Sequence, residues 1–242
     1  MSAVSQQSLA EISTRLENET AQSILRWAVE AYFPRLTMAT AFQAEGCCLI
    51  HMLAEIEPRV RIFNLETGYQ FPETLQLRDR LAERYGIVVE LVRPEAAVTD
   101  YEAMHGGPLY ARDPSQCCND RKVVPLRRTL VGYEAWISAI RRDQTLHRRN
   151  AGVVEWDAKF GLVKVNPLVR WTKKDVWKFI TDNQVPYNPL HDRGYPSIGC
   201  WPCTRVVGEG EDDRAGRWSG IGKTECGLHL REEEIKKPQT RP

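Results

Sequence analysis

No stretch of the 242 residues reaches the run of about 18 apolar residues that a membrane-spanning helix requires. The opening segment, MSAVSQQSLAEISTRLENET, has no basic patch followed by an apolar stretch, so a secretory leader is not expected. Charge of one sign is also lacking: 33 Lys and Arg stand against 32 Asp and Glu, a formal net charge of +1. That balance, with no interleaving of aromatic and basic residues, argues against a nucleic-acid surface, and it offers nothing to an anionic membrane. Two glycine signatures are missing as well. There is no G-K-[ST] ending of a phosphate loop and no G-x-G-x-x-G of a dinucleotide fold. Internal repeats and low-complexity blocks are absent. A cytoplasmic protein with an ordinary core is expected, at 42% hydrophobic and 27% charged residues. The length fits one large domain, with or without a distinct tail.

Strands and helices alternate through the first hundred residues. A helix is expected from about Glu11 to Phe33, where Leu16, Ile24, Leu25, Ala28 and Val29 recur at near-helical spacing. Pro34 stops it. Leu36–Ala39 reads as a strand, Glu45–Leu53 as an apolar helix and Arg59–Leu65 as a second strand. Pro72 opens a helix to about Tyr85, capped by Gly86, and Ile87–Val92 is a third strand. This order predicts a doubly wound, mostly parallel α/β sheet with helices on both faces. Ligands of such sheets sit beyond the carboxyl ends of the strands, so the loops after Ala39 and after Leu65 are candidate binding segments. Further on, Val131–Ile140 reads as a helix and Leu162–Val165 as a strand. Thr172 with Asp175 opens another helix through a capping pattern. The stretch Gly208–Gly220 is glycine-rich and charged, and reads as a mobile loop. We therefore expect one α/β domain over residues 1–206 and a mobile tail over 207–242.

Cysteine is present seven times, an odd number. In a chain of this size, clustered cysteines point to metal or catalysis before disulfides. Cys47 and Cys48 lie in the apolar helix and read as small core hydrophobes. Cys117 and Cys118 are adjacent, and Cys200-Trp201-Pro202-Cys203 is a C-x-x-C. Four such thiols suit a soft metal site. Adjacent side chains diverge, which is awkward around a single tetrahedral ion; a cubane relaxes that constraint. The spacing leaves zinc and a redox disulfide open beside a cluster. Cys226 follows the glycine-rich loop, with Lys223 and His229 placed to favour its thiolate and Glu225 placed to oppose it.

Anion-binding candidates surround these. Thr40-Ala41-Phe42-Gln43-Ala44-Glu45-Gly46 joins a strand to a helix N-terminus, where backbone N–H groups attract anions. Leu65-Glu66-Thr67-Gly68 ends the second strand, and Gly68 permits a close backbone approach. Arg214 and Arg217 flank Ala215-Gly216, and Arg141, Arg142, Arg148 and Arg149 form a further basic group. Lys122 sits five residues after Cys117, where a cation would offset negative sulfur.

Taken together and in order, these segments resemble the assimilatory sulfonucleotide reductases, a branch of the adenine nucleotide α-hydrolase-like superfamily. The resemblance runs from about Thr40 to His229. Its matching motifs are Leu65-Glu66-Thr67-Gly68-Tyr69, Cys117-Cys118-Asn119-Asp120, Trp171-Thr172-Lys173-Lys174-Asp175, Gly199-Cys200-Trp201-Pro202-Cys203, Arg214-Ala215-Gly216-Arg217-Trp218 and Glu225-Cys226-Gly227-Leu228-His229. It implies the iron–sulfur type that acts on adenylyl sulfate, related to reductases of the 3′-phosphorylated form, with activity on that form or on both as the alternative. Cys226 is then the nucleophile, reduced thioredoxin the thiol donor and a [4Fe–4S] cluster the cofactor on Cys117, Cys118, Cys200 and Cys203, with Lys122 beside it. The implied sulfonucleotide contacts are Thr40, Ala41, Phe42, Gln43, Leu65, Glu66, Gly68, Arg141, Arg214, Arg217 and His229. A homo-oligomer is compatible with this reading. The chain departs from the family pattern at Thr40, where serine is usual, and at Glu66, where aspartate is usual. ATP-using relatives in the superfamily carry an S-G-G-x-D-S-type loop, which is absent here. A zinc-bearing binding module would leave Cys226 and the tail unexplained.

Overall fold

The computed structural model describes residues 6–221, 223 and 225–229. Two helices open the chain, α1 (Gln6–Leu16) and α2 (Ala21–Tyr32), where one was expected. Thr20 causes the break. Its side chain accepts a hydrogen bond from Ser23 N at 3.1 Å and so caps a new helix. On α2, Ala21, Ile24, Leu25 and Ala28 form the buried stripe.

The alternation then follows as β1 (Leu36–Thr40), α3 (Ala44–Ile56), β2 (Arg61–Leu65), α4 (Pro72–Tyr85) and β3 (Val89–Val92). Gly86 closes α4 in the left-handed conformation. Three short helices come next, α5 (Val98–Met104), α6 (Pro114–Cys118) and α7 (Val124–Thr129). The remaining strands and α-helix are β4 (Ala135–Ile137), β5 (Val154–Asp157), β6 (Leu162–Val165) and α8 (Lys173–Asp182). The helix expected over Val131–Ile140 is instead β4, three buried residues paired in parallel with both β1 and β6. A short apolar run is ambiguous by periodicity alone, and neighbouring strands decide it here.

The six strands form one sheet in the order β3-β2-β1-β4-β6-β5. All pairs are parallel except β5 with β6, which closes one edge as an antiparallel hairpin. This is the doubly wound α/β sheet that the alternation predicted. From β1 the chain builds outward through β2 and β3 on one side, and β4 and β6 lie on the other. The order therefore reverses between β1 and β4, and a crevice opens at their carboxyl ends. The main core lies along α2, α3 and the inner strands, with Leu25, Leu36, Met38 and Leu49 fully buried. Each such side chain contributes about 1.5–3 kcal/mol by leaving water. Cys47 and Cys48 belong to this core, and burial pushes the Cys47 thiol up to about 12. Among the described residues, no helix is long and apolar enough to cross a membrane.

Candidate active site

A cavity of about 310 Å³ occupies the crevice between β1 and β4. Its floor is the β1–α3 loop. Thr40 Oγ1 accepts a hydrogen bond from Phe42 N at 3.1 Å, which folds the loop back on itself. Phe42 takes a left-handed φ of 52° with its ring fully buried, so packing holds a backbone conformation that a non-glycine residue rarely adopts. Thr40, Ala41 and Gln43 line the cavity; the Phe42 side chain belongs to the core. The Gln43 amide ties the loop to a distant one: its nitrogen donates to Ile198 O at 2.5 Å and its oxygen accepts from Ile198 N at 3.0 Å.

The second wall comes from the β2–α4 turn. Leu65 and Thr67 face the cavity, whereas Glu66 and Gly68 do not line it. The Glu66 carboxylate accepts from Gly68 N at 2.6 Å and faces Arg93 at 3.4 Å, so it shapes the turn. Gly68 stands at φ 79°, and a Cβ there would meet Val98 Cγ2 at 2.4 Å. No other residue fits without displacing α5.

Cations gather on the opposite side. Arg214 and Arg217 line the cavity, and both reach Ser197 Oγ, at 3.5 and 3.3 Å. The Arg217 guanidinium lies over the Trp218 ring, 4.5 Å from its centroid, and against the backbone of Gly199. Lys122 lines the same cavity. Burial works to lower its ammonium, but the sulfurs of Cys200, Cys118 and Cys226 outweigh burial and hold it above its ordinary value. Arg141 also lines the cavity, but its guanidinium is committed to the buried Glu45 carboxylate and to Asp143, the latter at 2.9 Å.

The described part of the C-terminal segment is docked onto this site; residues beyond 229 lie outside the described residues. Lys223 Nζ donates to Pro114 O and Ser115 Oγ, both at 3.2 Å. Glu225 is 1% exposed and accepts from Arg148 at 2.9 Å and Thr145 at 3.1 Å, with Arg214 at 3.5 Å. Burial alone would raise its carboxyl, but Arg148 and Arg214 pull it down to about 2. Burial also draws Arg214 down, to about 10, against the attraction of Glu225. Lys159 donates to Gly227 O. His229 stacks on Trp136 with planes 1° apart, and burial, reinforced by nearby cations such as Arg148 and Lys164, holds it well below the usual imidazole range. It is therefore neutral at pH 7. Between these anchors, Cys226 faces the cavity.

The four paired cysteines require a correction. Cys117, Cys118, Cys200 and Cys203 line one small recess, yet among the described residues no group of three or more Cys, His, Asp or Glu side chains is arranged to hold a metal ion. The [4Fe–4S] cluster expected on them is thereby overturned. Burial pushes the thiol of Cys117 up to about 12 and that of Cys203 up to about 11. The Cys200 sulfur instead lies 3.3 Å from the Thr67 hydroxyl. Cys117 packs as a hydrophobe with Tyr69, Tyr101 and Leu109.

Residues 35–206 match the family described as phosphoadenosine phosphosulfate reductase domain. The chain belongs to that family. A phosphoadenosine 5′-phosphosulfate reductase from Gloeobacter violaceus is 46% identical, covering 93% of this chain and 95% of its own length. An adenosine 5′-phosphosulfate reductase from Bacillus subtilis is also 46% identical, covering 86% and 90%. Among solved structures, a phosphoadenylyl-sulfate reductase from Candida auris in a phosphate complex superposes with a TM-score of 0.75 at 30% identity, covering 85% of this chain and 99% of that one. Membership extends to the reductase family; the iron–sulfur type expected above is not borne out, since among the described residues no donor set for a metal ion is arranged.

Several cavity residues carry little signal in the sequence. Ser138 and Trp136 lie on or just after β4, whose short apolar run is ambiguous between helix and strand. The run Ala-Trp-Ile-Ser, too short for a helix, was the available clue. Ser197 was hidden in an irregular, proline-rich stretch. Arg148 stands in the sequence only as one of a basic group, and its partner Glu225 lies 77 positions away.

Proposed function

We propose that this chain is a cytoplasmic, thioredoxin-dependent reductase of adenylyl sulfate, forming sulfite and AMP in sulfate assimilation and cysteine biosynthesis. The observation that carries the reading is Cys226, a free thiol facing the cavity at the β1–β4 crevice together with Arg214, Arg217 and the β1–α3 loop. A thiol opposite a cationic bay suits attack on an anionic, electrophilic sulfur. The Cys226 thiolate attacks the sulfur of the phosphosulfate. A sulfur–sulfur bond forms, the bond from sulfur to the phosphate oxygen breaks, and AMP departs with the electron pair. Arg214, Arg217 and the loop amides offset the charge on the leaving phosphate. A thioredoxin thiolate then attacks the Cys226 sulfur and releases sulfite. The second thioredoxin thiol resolves the mixed disulfide, so thioredoxin is oxidised by two electrons and Cys226 is restored.

In this reading Thr40, Ala41 and Gln43 border the phosphosulfate, Leu65 the nucleoside, and Lys122 and His229 flank the reacting sulfur. The stretch that carries Cys226 closes on the cavity for the first step and opens for the second. The preference for adenylyl sulfate rests on the names of relatives such as that from Bacillus subtilis. A second reading, reduction of the 3′-phosphorylated form, is favoured by the equally similar relative from Gloeobacter violaceus.

Incubation with adenylyl sulfate in the absence of thioredoxin, followed by peptide mass spectrometry, should find a sulfonate on Cys226. Active protein without that adduct would sink the mechanism. Steady-state kinetics with both sulfonucleotides decide between the substrates.

A further inference from the structure

The carboxylate next to the proposed nucleophile is a chain-internal anion in a site built for anions. A carboxylate as deeply buried as Glu225 needs full pairing to stay charged. Its partners all belong to the segment after β4 or to the cavity wall: Arg148 at 2.9 Å, Thr145 at 3.1 Å and Arg214 at 3.5 Å. Arg148 is fixed in turn, because it donates to the Gln144 amide oxygen. The amide nitrogen of Gln144 donates to Glu45 on the first turn of α3 at 3.0 Å. A continuous polar chain thus runs from the N-terminus of the anion-loop helix to the residue before Cys226.

We infer that Glu225 is a positioning residue: its carboxylate, clamped by Arg148 and Thr145, latches the segment so that Cys226 faces the cavity. The neighbouring Cα atoms are about 3.8 Å apart, so fixing Glu225 fixes where Cys226 can point. The contact distances also divide the labour. Arg148 makes the short bond and holds the latch, while Arg214, at the limit of hydrogen bonding, adds a longer contact from the cavity wall. The charge of Glu225 is absorbed by the two guanidinium groups and does not face the thiol alone.

This inference rests on Cys226 as the attacking thiol, and its labelling test needs no sulfonucleotide. The rate of Cys226 alkylation by iodoacetamide, read by peptide mass spectrometry, reports how often the segment leaves the cavity. Glu225→Gln keeps the shape and removes the charge. It should raise Cys226 labelling about tenfold and lower kcat more than it raises KM. The fully buried Cys47 and Cys48 should stay unlabelled and so report an intact fold. Adding Arg148→Met to Glu225→Gln should produce no further acceleration, since both remove one contact. Labelling of Cys226 at the wild-type rate in Glu225→Gln, or simple additivity in the double variant, would overturn the latch. If Glu225→Gln also exposes Cys47 and Cys48, Thr145→Val carries the same test within an intact fold, and unchanged Cys226 labelling there overturns it. Slow wild-type labelling in a protein that reduces no sulfonucleotide would refute the proposed function and leave the latch standing.

Discussion

At the scale of single residues, the site depends on close approach as much as on charge. Arg217 lies so near Gly199 that an added Cβ would fall 2.2 Å from its guanidinium nitrogen. Gly199→Ala should therefore push the arginine aside without disturbing the sheet, raising KM for the sulfonucleotide about tenfold as one charged contact is lost. Steady-state kinetics check this, with circular dichroism as the control for folding. Cys226→Ser should abolish turnover while leaving sulfonucleotide binding intact, measured by calorimetry. Legibility in the sequence follows the same division. Cys226, Arg214 and Arg217 stand in short motifs whose residue types announce their chemistry. Glu225 was legible only as a charge beside a thiol, because what makes it useful is Arg148, which no local pattern links to it. The paired cysteines misled in the opposite sense. Their spacing suggests ligands, but spacing does not fix side-chain arrangement, and among the described residues no group of three or more Cys, His, Asp or Glu is arranged to hold a metal ion.

At the scale of elements, alternation and capping were the strongest guides. The first three strands and the helices between them follow from apolar runs punctuated by Pro72 and Gly86. The opening helix was read as one, because periodicity alone does not see the N-cap that Thr20 supplies. Strands β4 and β5 were missed because a short strand is defined by its neighbours, and those pairings are not local. The Thr172–Asp175 capping box of α8 was legible, and it is made in full, with Thr172 N donating to Asp175 at 2.8 Å and Asp175 N donating to Thr172 Oγ1 at 3.2 Å. Thr172→Ala should cost about 1 kcal/mol, seen as a fall in Tm of about 2–4 °C for a domain of this size. Because α8 packs on α3, and its Val176 lines the cavity, a fall in sulfonucleotide affinity should accompany the loss of stability.

At the scale of the whole molecule, two buried groups of the site contribute to the response to acid. His229 is held neutral below its ordinary value of 6.5, so the unfolded chain binds a proton that the folded one refuses. The contribution of His229 to stability is therefore complete above pH 6.5 and declines as pH falls below it. Glu225 acts lower down. Its contribution is present above its ordinary value of 4.5 and disappears as pH falls toward about 2. Thermal melts should show Tm dropping between pH 7 and pH 5, with a shallower slope in His229→Gln. The Glu225→Gln variant should converge on the wild type only in strong acid. The bridge from Gln43 to Ile198 has a different consequence, in the order of assembly. The two residues are 155 positions apart, and Arg148 and Glu225 are 77 apart, so the cavity closes only after most of the chain has been made and folded. Contacts of that separation bear the largest loop-closure entropy and form late. During refolding from urea, helical circular dichroism should therefore recover before sulfonucleotide binding does, which makes the ligand a reporter of the last step of folding.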